Sequence, residues 1–157
     1  MKELKYLIIH CTATKEGKDI TGEDIRRFHT SPPPQGRGWN QVGYSELIRL
    51  DGTVETLVNY NEDNWVQAGE ITNGAKEYNS CSRHICYVGG VDKDMKPNNT
   101  MTTDQYEAIE AYIKRFLYLH PTAIVIGHNM VTNAKACPSF DVYAEFGHVI
   151  PKTNRKK

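Results

Sequence analysis

The apolar run YLIIH at residues 6–10 decides the fold. Short, continuous apolar runs rich in β-branched residues are typical of strands buried in the centre of a sheet. Ala123 to Ile126 is a second run of this kind, and His128 follows it closely. Each predicted strand therefore carries a histidine at or just past its carboxyl end, which is where α/β sheets usually hold ligands.

The remaining patterns add helices and a hairpin to these two strands. Capping signals at Thr21 and at Thr102 predict the starts of two helices. Asp51-Gly52 predicts a hairpin turn between strands at 44–50 and 54–58. A further strand is predicted at 85–88 and a short helix at 140–146, and the polar stretch 59–80 is predicted to be a surface loop bordering a site. Together these elements predict an α/β fold in which a single-domain mixed β-sheet is flanked by helices.

Length and composition limit the classes of function. A chain of 157 residues suits one domain, which we place at residues 1–150, followed by a solvated basic tail at 151–157. The 19 basic and 19 acidic residues balance, so charge does not indicate a nucleic acid partner. No apolar run approaches the roughly 18 residues of a membrane span. The amino terminus lacks the features of a signal peptide, so we expect synthesis in the cytoplasm, with the four cysteines reduced or bound to metal.

The segment GHNMVTNAKACP at residues 127–138 contains the strongest chemical signal. It offers the imidazole of His128 and the thiol of Cys137, with Lys135 two residues before that thiol. Together with His10 they make three ligands that suit zinc, leaving the fourth position of a catalytic site open. Taken singly, each residue has an ordinary structural explanation, such as a hydrogen-bonded histidine or a buried thiol.

Short blocks of sequence, found in a definite order along most of the chain, help to decide between a zinc site and these structural explanations. They are IHCTAT at 9–14, GRGW at 36–39, VGY at 42–44, IRLDGTVE at 48–55, ICYVGGVD at 85–92, GH at 127–128 and KACPSFD at 135–141. In these blocks the chain resembles the amidase-type phage lysozymes, which are zinc-dependent N-acetylmuramoyl-L-alanine amidases related to the peptidoglycan recognition proteins. The resemblance spans roughly residues 6 to 145 and implies that residues 1–150 form a zinc amidase catalytic domain.

Carried over by position, the resemblance implies one zinc ion held by His10, His128 and Cys137. It implies Tyr44 and Lys135 as the catalytic pair. The reaction would be hydrolysis of the amide between N-acetylmuramic acid and L-alanine in peptidoglycan. For the substrate groove we predict contacts from three further side chains, His29, Trp39 and His84.

The chain also departs from the family pattern at several positions. Ser45 and Gln67 stand where histidine is common, and His84 stands where glycine is usual. With Arg83, His84 is expected to add bulk near the groove and to affect the choice of stem peptide.

The expected partner is peptidoglycan. We expect the protein to be a monomer that reaches the cell wall after release from the cell or export. Two alternatives remain at this stage. One is a peptidoglycan-binding protein without catalysis, and the other is an amidase that also binds and inhibits a phage RNA polymerase.

Overall fold

The computed structural model describes all 157 residues, which form a central five-stranded sheet with helices on both faces. The strands are β1 (Lys2–Glu3), β2 (Tyr6–Cys11), β3 (Thr14–Lys15), β4 (Glu46–Ile48), β5 (Val54–Thr56), β6 (Trp65–Val66), β7 (Ser82–Tyr87), β8 (Gly90–Val91) and β9 (Ile124–Gly127). The α-helices are α1 (Gly22–Thr30), α2 (Thr103–Leu119) and α3 (Val142–Phe146). The central sheet has the order β5-β4-β7-β2-β9, while β1 pairs with β6 and β3 with β8.

Strand direction makes this a mixed sheet. Strands β4, β7, β2 and β9 run parallel, and only β5 is antiparallel to its neighbour β4. The mixed sheet flanked by helices is the predicted fold class, which is confirmed. The predicted turn at Asp51-Gly52 joins β4 to β5, where Gly52 adopts a φ of +83° that favours glycine.

Side-chain alternation divides the two faces of the sheet. Leu7, Ile9 and Cys11 of β2 pack into the larger core beneath α2 and α3, together with Ile109 and Ile113 of α2. Burying each such isoleucine contributes about 1.5–3 kcal/mol to stability. The opposite face carries a smaller core that includes Ile25 of α1, Leu47 of β4 and Cys86 of β7. His10 alternates with its neighbours in β2, so it belongs to this second face.

The predicted helix starts are present. Thr21 and Asp24 form a capping box at α1, and Thr102 and Gln105 form another at α2. The buried amide of Gln105 also donates hydrogen bonds to the carbonyl oxygens of Ile48 and Val88, which fixes α2 against the sheet. No helix combines the length and the apolar character that crossing a membrane requires.

The carboxyl-terminal segment, predicted as a solvated tail, departs from that prediction at Asn154. Asn154 is only 4% exposed, and its side-chain amide donates to the carbonyl oxygens of Pro121 and Ala123 at 2.8 and 2.7 Å. Arg155 donates to the carbonyl oxygens of Ile150 and Gly147. Five of the seven residues are exposed, as expected of a solvated tail, but Asn154 anchors the segment next to the start of β9.

Candidate active site

Parallel strands bring the two predicted histidine ligands together. His10 is the penultimate residue of β2, and Ile9 pairs with Gly127 at the end of the neighbouring strand β9. His128 follows directly in a short helical turn, and its ring centroid lies 4.7 Å from that of His10. The apolar strands thus place both imidazoles at one edge of the sheet.

A loop brings Cys137 to the same edge. The backbone N–H of Asn129 donates to the carbonyl oxygen of Cys137 at 2.7 Å. The backbone N–H of Cys11 donates to Sγ of Cys137 at 3.2 Å. Sγ lies 3.7 Å from Nδ1 of His10, and one ligand atom from each of His10, His128 and Cys137 lies within 4.8 Å of the others. These three predicted ligands are therefore a group that could hold a metal ion.

The donor set and spacing of this group fit zinc. Bonds of about 2.0–2.1 Å to nitrogen and 2.3 Å to sulfur at a tetrahedral angle separate the two ligand atoms by roughly 3.6 Å. The 3.7 Å between Nδ1 of His10 and Sγ of Cys137 is close to that value. Cys11 alternates with His10 and packs in the larger core, as its position in the strand predicts, although it also borders the cleft beside Cys137. All four cysteines of the chain are free thiols, as expected.

Burial keeps the ligand imidazoles in their neutral form. Burial, with contributions from His84 and His128, holds the pKa of His10 well below its usual value of 6.5. Burial and the charge of Lys135 lower the pKa of His128. Neutral imidazole is the form that binds a metal ion, so neither ligand has to lose a proton at neutral pH.

Tyr44 and Lys135 reach the same edge from different segments. The ring centroid of Tyr44 lies 5.2 Å from that of His10. Tyr44 lies two residues before the start of β4. Burial raises the pKa of the Tyr44 phenol well above its usual value of 10, so the group stays protonated. Lys135 is exposed and lines the cleft beside the ligands. The predicted catalytic pair and the predicted ligands thus share one site.

The site opens into a cleft of about 800 Å³. His29 and Trp39 line it as predicted, with their rings 4.8 Å apart, and the guanidinium of Arg37 lies 5.1 Å from the Trp39 ring centroid. Further lining residues, which the sequence did not single out one by one, are Phe28, Asn73, Lys76, Glu77 and Asn79. The last four come from the polar stretch 59–80 that was expected to border a site.

Two sequence expectations for the groove are corrected. His84 is completely buried and does not line the cleft; its Nδ1 instead lies 2.9 Å from Nε2 of His10. Arg83 is 6% exposed, and its guanidinium sits 3.6 Å above the ring of Tyr60, away from the groove. Adjacent strand residues face opposite sides of the sheet, and here both sides are covered.

Comparison with known proteins gives the same family as the sequence blocks. The model of the N-acetylmuramoyl-L-alanine amidase family matches residues 1–140. The endolysin of Enterobacteria phage K11 is 34% identical over 141 residues, covering 90% of this chain and 84% of that protein. The endolysin of Escherichia phage T7 is 32% identical over 136 residues, covering 87% of this chain and 81% of that protein.

Solved structures show the same fold at lower identity. The Ph2119 endolysin from a Thermus scotoductus bacteriophage superposes with a TM-score of 0.72 at 23% identity, covering 94% of this chain and 85% of that one. Drosophila peptidoglycan recognition protein LB gives a TM-score of 0.68 at 22% identity, covering 99% and 85%. The family-model match and the relatives above 30% identity therefore establish that this chain belongs to the N-acetylmuramoyl-L-alanine amidase family.

Proposed function

We propose that this chain is a zinc-dependent amidase that cleaves the bond between the lactyl group of N-acetylmuramic acid and L-alanine. The observation that supports zinc is the convergence of His10, His128 and Cys137, two neutral imidazoles and one thiol from three separate segments. Nδ1 of His10, a ring nitrogen of His128 and Sγ of Cys137 would hold the ion. When bound, zinc would act as a Lewis acid and make water nucleophilic at neutral pH.

The residues around this group suit amide hydrolysis. Attack on the amide carbonyl places negative charge on its oxygen, and the exposed ammonium of Lys135 can donate a hydrogen bond to that oxygen. Tyr44 stays protonated, so its phenol can orient the attacking water or pass a proton to the leaving amine. Both groups face the cleft that contains the ligands.

The cleft suits a polar glycopeptide. Trp39 offers an aromatic face on which a sugar can stack, and the ring of His29 packs against it at a tilt of 39°. Polar side chains such as Asn73 and Asn79 offer hydrogen bonds to a peptide. Since the curated relatives are endolysins, we infer that the natural substrate is the bacterial cell wall, which the protein would reach after release or export.

A cell-wall digest tests the reaction. Purified protein should release new L-alanine amino termini, detected by mass spectrometry, without creating new sugar reducing ends. New reducing ends would indicate a glycosidase. Binding of wall fragments without any product would favour the receptor alternative, in which the same fold holds peptidoglycan uncut.

Metal removal tests the cofactor. A chelator should abolish activity and added zinc should restore it. Cys137→Ser replaces a thiolate with a neutral hydroxyl and should lower zinc content, whereas Cys81→Ser changes a partly buried thiol at the opposite end of β7 and should leave it unchanged. Equal zinc content in wild type and Cys137→Ser would refute the ligand assignment.

A further inference from the structure

His84 lies directly behind the proposed zinc ligand His10. Strands β2 and β7 are parallel, with Ile8 opposite His84 and His10 opposite Cys86. His84 is therefore the diagonal neighbour of His10 on the same face of the sheet. Both side chains are almost completely excluded from solvent, at 0% and 1% exposure.

The two ring nitrogens of His10 have different neighbours. Nδ1 faces Sγ of Cys137 at 3.7 Å, and Nε2 lies 2.9 Å from Nδ1 of His84. A neutral imidazole carries one proton, so Nδ1 has a free lone pair for a metal only when the proton is on Nε2. That proton is buried, and Nδ1 of His84 is the acceptor placed to receive it. The opposite arrangement, with His84 donating to Nε2, would put the proton of His10 on the nitrogen that faces the ligand group.

The surroundings of His84 leave its ring free for this contact. The space for the ring comes from Gly74, where a Cβ would lie only 2.5 Å from Nδ1 and 2.6 Å from Cγ of His84. When Nδ1 of His84 accepts, the His84 proton lies on the other ring nitrogen, Nε2, which is buried without a hydrogen-bond partner. That unsatisfied N–H is a cost, which binding of a metal ion at Nδ1 of His10 would offset. The imidazole of His84 thus has its single side-chain hydrogen bond with His10. Without that bond, the N–H of His10 would be buried and unsatisfied.

We propose that His84 is a positioning residue that keeps the proton of His10 on Nε2 and thereby presents Nδ1 to the zinc ion. This role rests on the proposed function, because it requires that the site bind zinc. It assigns a purpose to a position where this chain departs from the glycine that is usual in the family. Partners of this kind fix the tautomer and orientation of ligand histidines in metal sites.

A matched pair of variants tests this role. Asn and Leu are similar in size, but only the Asn side chain has an oxygen that can accept the N–H of His10. The zinc Kd, measured by competition with a chromophoric chelator, should therefore stay near the wild-type value in His84→Asn and rise about 10–100-fold in His84→Leu. A purely structural role would change both alike, because both variants lose the same ring. Equal Kd values for the two variants would refute the positioning role.

A second measurement uses only the wild-type protein, so it does not depend on whether a variant folds. Long-range ¹H–¹⁵N spectra of the zinc-loaded wild-type protein should show protons on Nε2 of both His10 and His84. A proton on Nδ1 of His84 would refute the inference. Failure of the wild-type protein to bind zinc would instead refute the proposed function, so the two failures are distinguishable.

Discussion

Acidification should destabilise this protein through the buried imidazole of His29. His29 lies on α1 with 8% of its surface exposed, and its Nδ1 accepts the N–H of Gly43 at 3.0 Å. Burial, with a smaller contribution from the charge of Arg37, lowers the pKa of His29 from 6.5 to about 4. The neutral ring thus holds the backbone immediately before Tyr44, and protonation would remove the acceptor.

The sign and size of the effect follow from the two pKa values. As the pH falls through 6.5, the unfolded chain binds a proton on this histidine before the folded protein does. The contribution to stability is therefore complete above pH 6.5 and is lost progressively until about pH 4. At about pH 5 the difference in proton binding amounts to about 2 kcal/mol of unfolding free energy.

The assay compares two proteins at two pH values. In His29→Asn, Oδ1 can replace Nδ1 as the acceptor for Gly43, but the group does not titrate in this range. Urea unfolding at about pH 7.5 and about pH 5 should show that the wild type loses about 2 kcal/mol more than the variant. The cavity that the smaller side chain leaves costs the same at both pH values and cancels in this difference. An equal loss in both proteins, or an NMR titration of His29 near 6.5, would refute the reasoning.

Three further variants separate catalysis from folding. Lys135→Met should retain zinc but lose about 10²–10³ in turnover, because the oxyanion loses its cationic donor; Lys76→Met removes the same charge from the cleft and should keep most turnover. Tyr44→Phe should likewise retain zinc and lose about 10²-fold or more if the phenol moves a proton, as steady-state kinetics beside metal analysis would show. Asn154→Ala should lower the free energy of unfolding in urea by about 2 kcal/mol, because two carbonyl oxygens lose a buried donor. An unchanged value would show that the carboxyl-terminal segment does not stabilise the fold.

Much of the sheet could be predicted because its strands are short apolar runs. Strands β2 and β9 coincide closely with the runs at 6–10 and 123–126. The neighbouring positions of His10 and His128 then follow from the parallel direction of those strands. Cys137 could not be placed in this way, since a loop contact joins it to a residue 127 positions away. Its chemistry as a thiol ligand and the family resemblance, rather than any strand pattern, linked it to the two histidines.

The errors at His84 and Asn154 share a physical cause. Polar residues near a groove or in a basic tail are usually exposed, so both were assigned to solvent-facing positions. Each is instead buried and makes specific hydrogen-bond contacts: His84 with the ring of His10, and Asn154 as donor to the carbonyl oxygens of Pro121 and Ala123. Such pairings depend on strand register and tertiary contact, neither of which has a periodic signature in the sequence.

The groups of this site are carried by different parts of the fold: His10 by a strand, and Cys137 and Lys135 by the loop that follows β9. His10 and its neighbour His84 lie on the paired strands β2 and β7, where both side chains are buried. Lys135 lies on an exposed loop, and its backbone makes none of the sheet hydrogen bonds. Substitutions at Lys135 should therefore change turnover at constant stability, whereas substitutions at His84 should act on metal affinity first. That separation lets the metal group and the catalytic groups be tested independently.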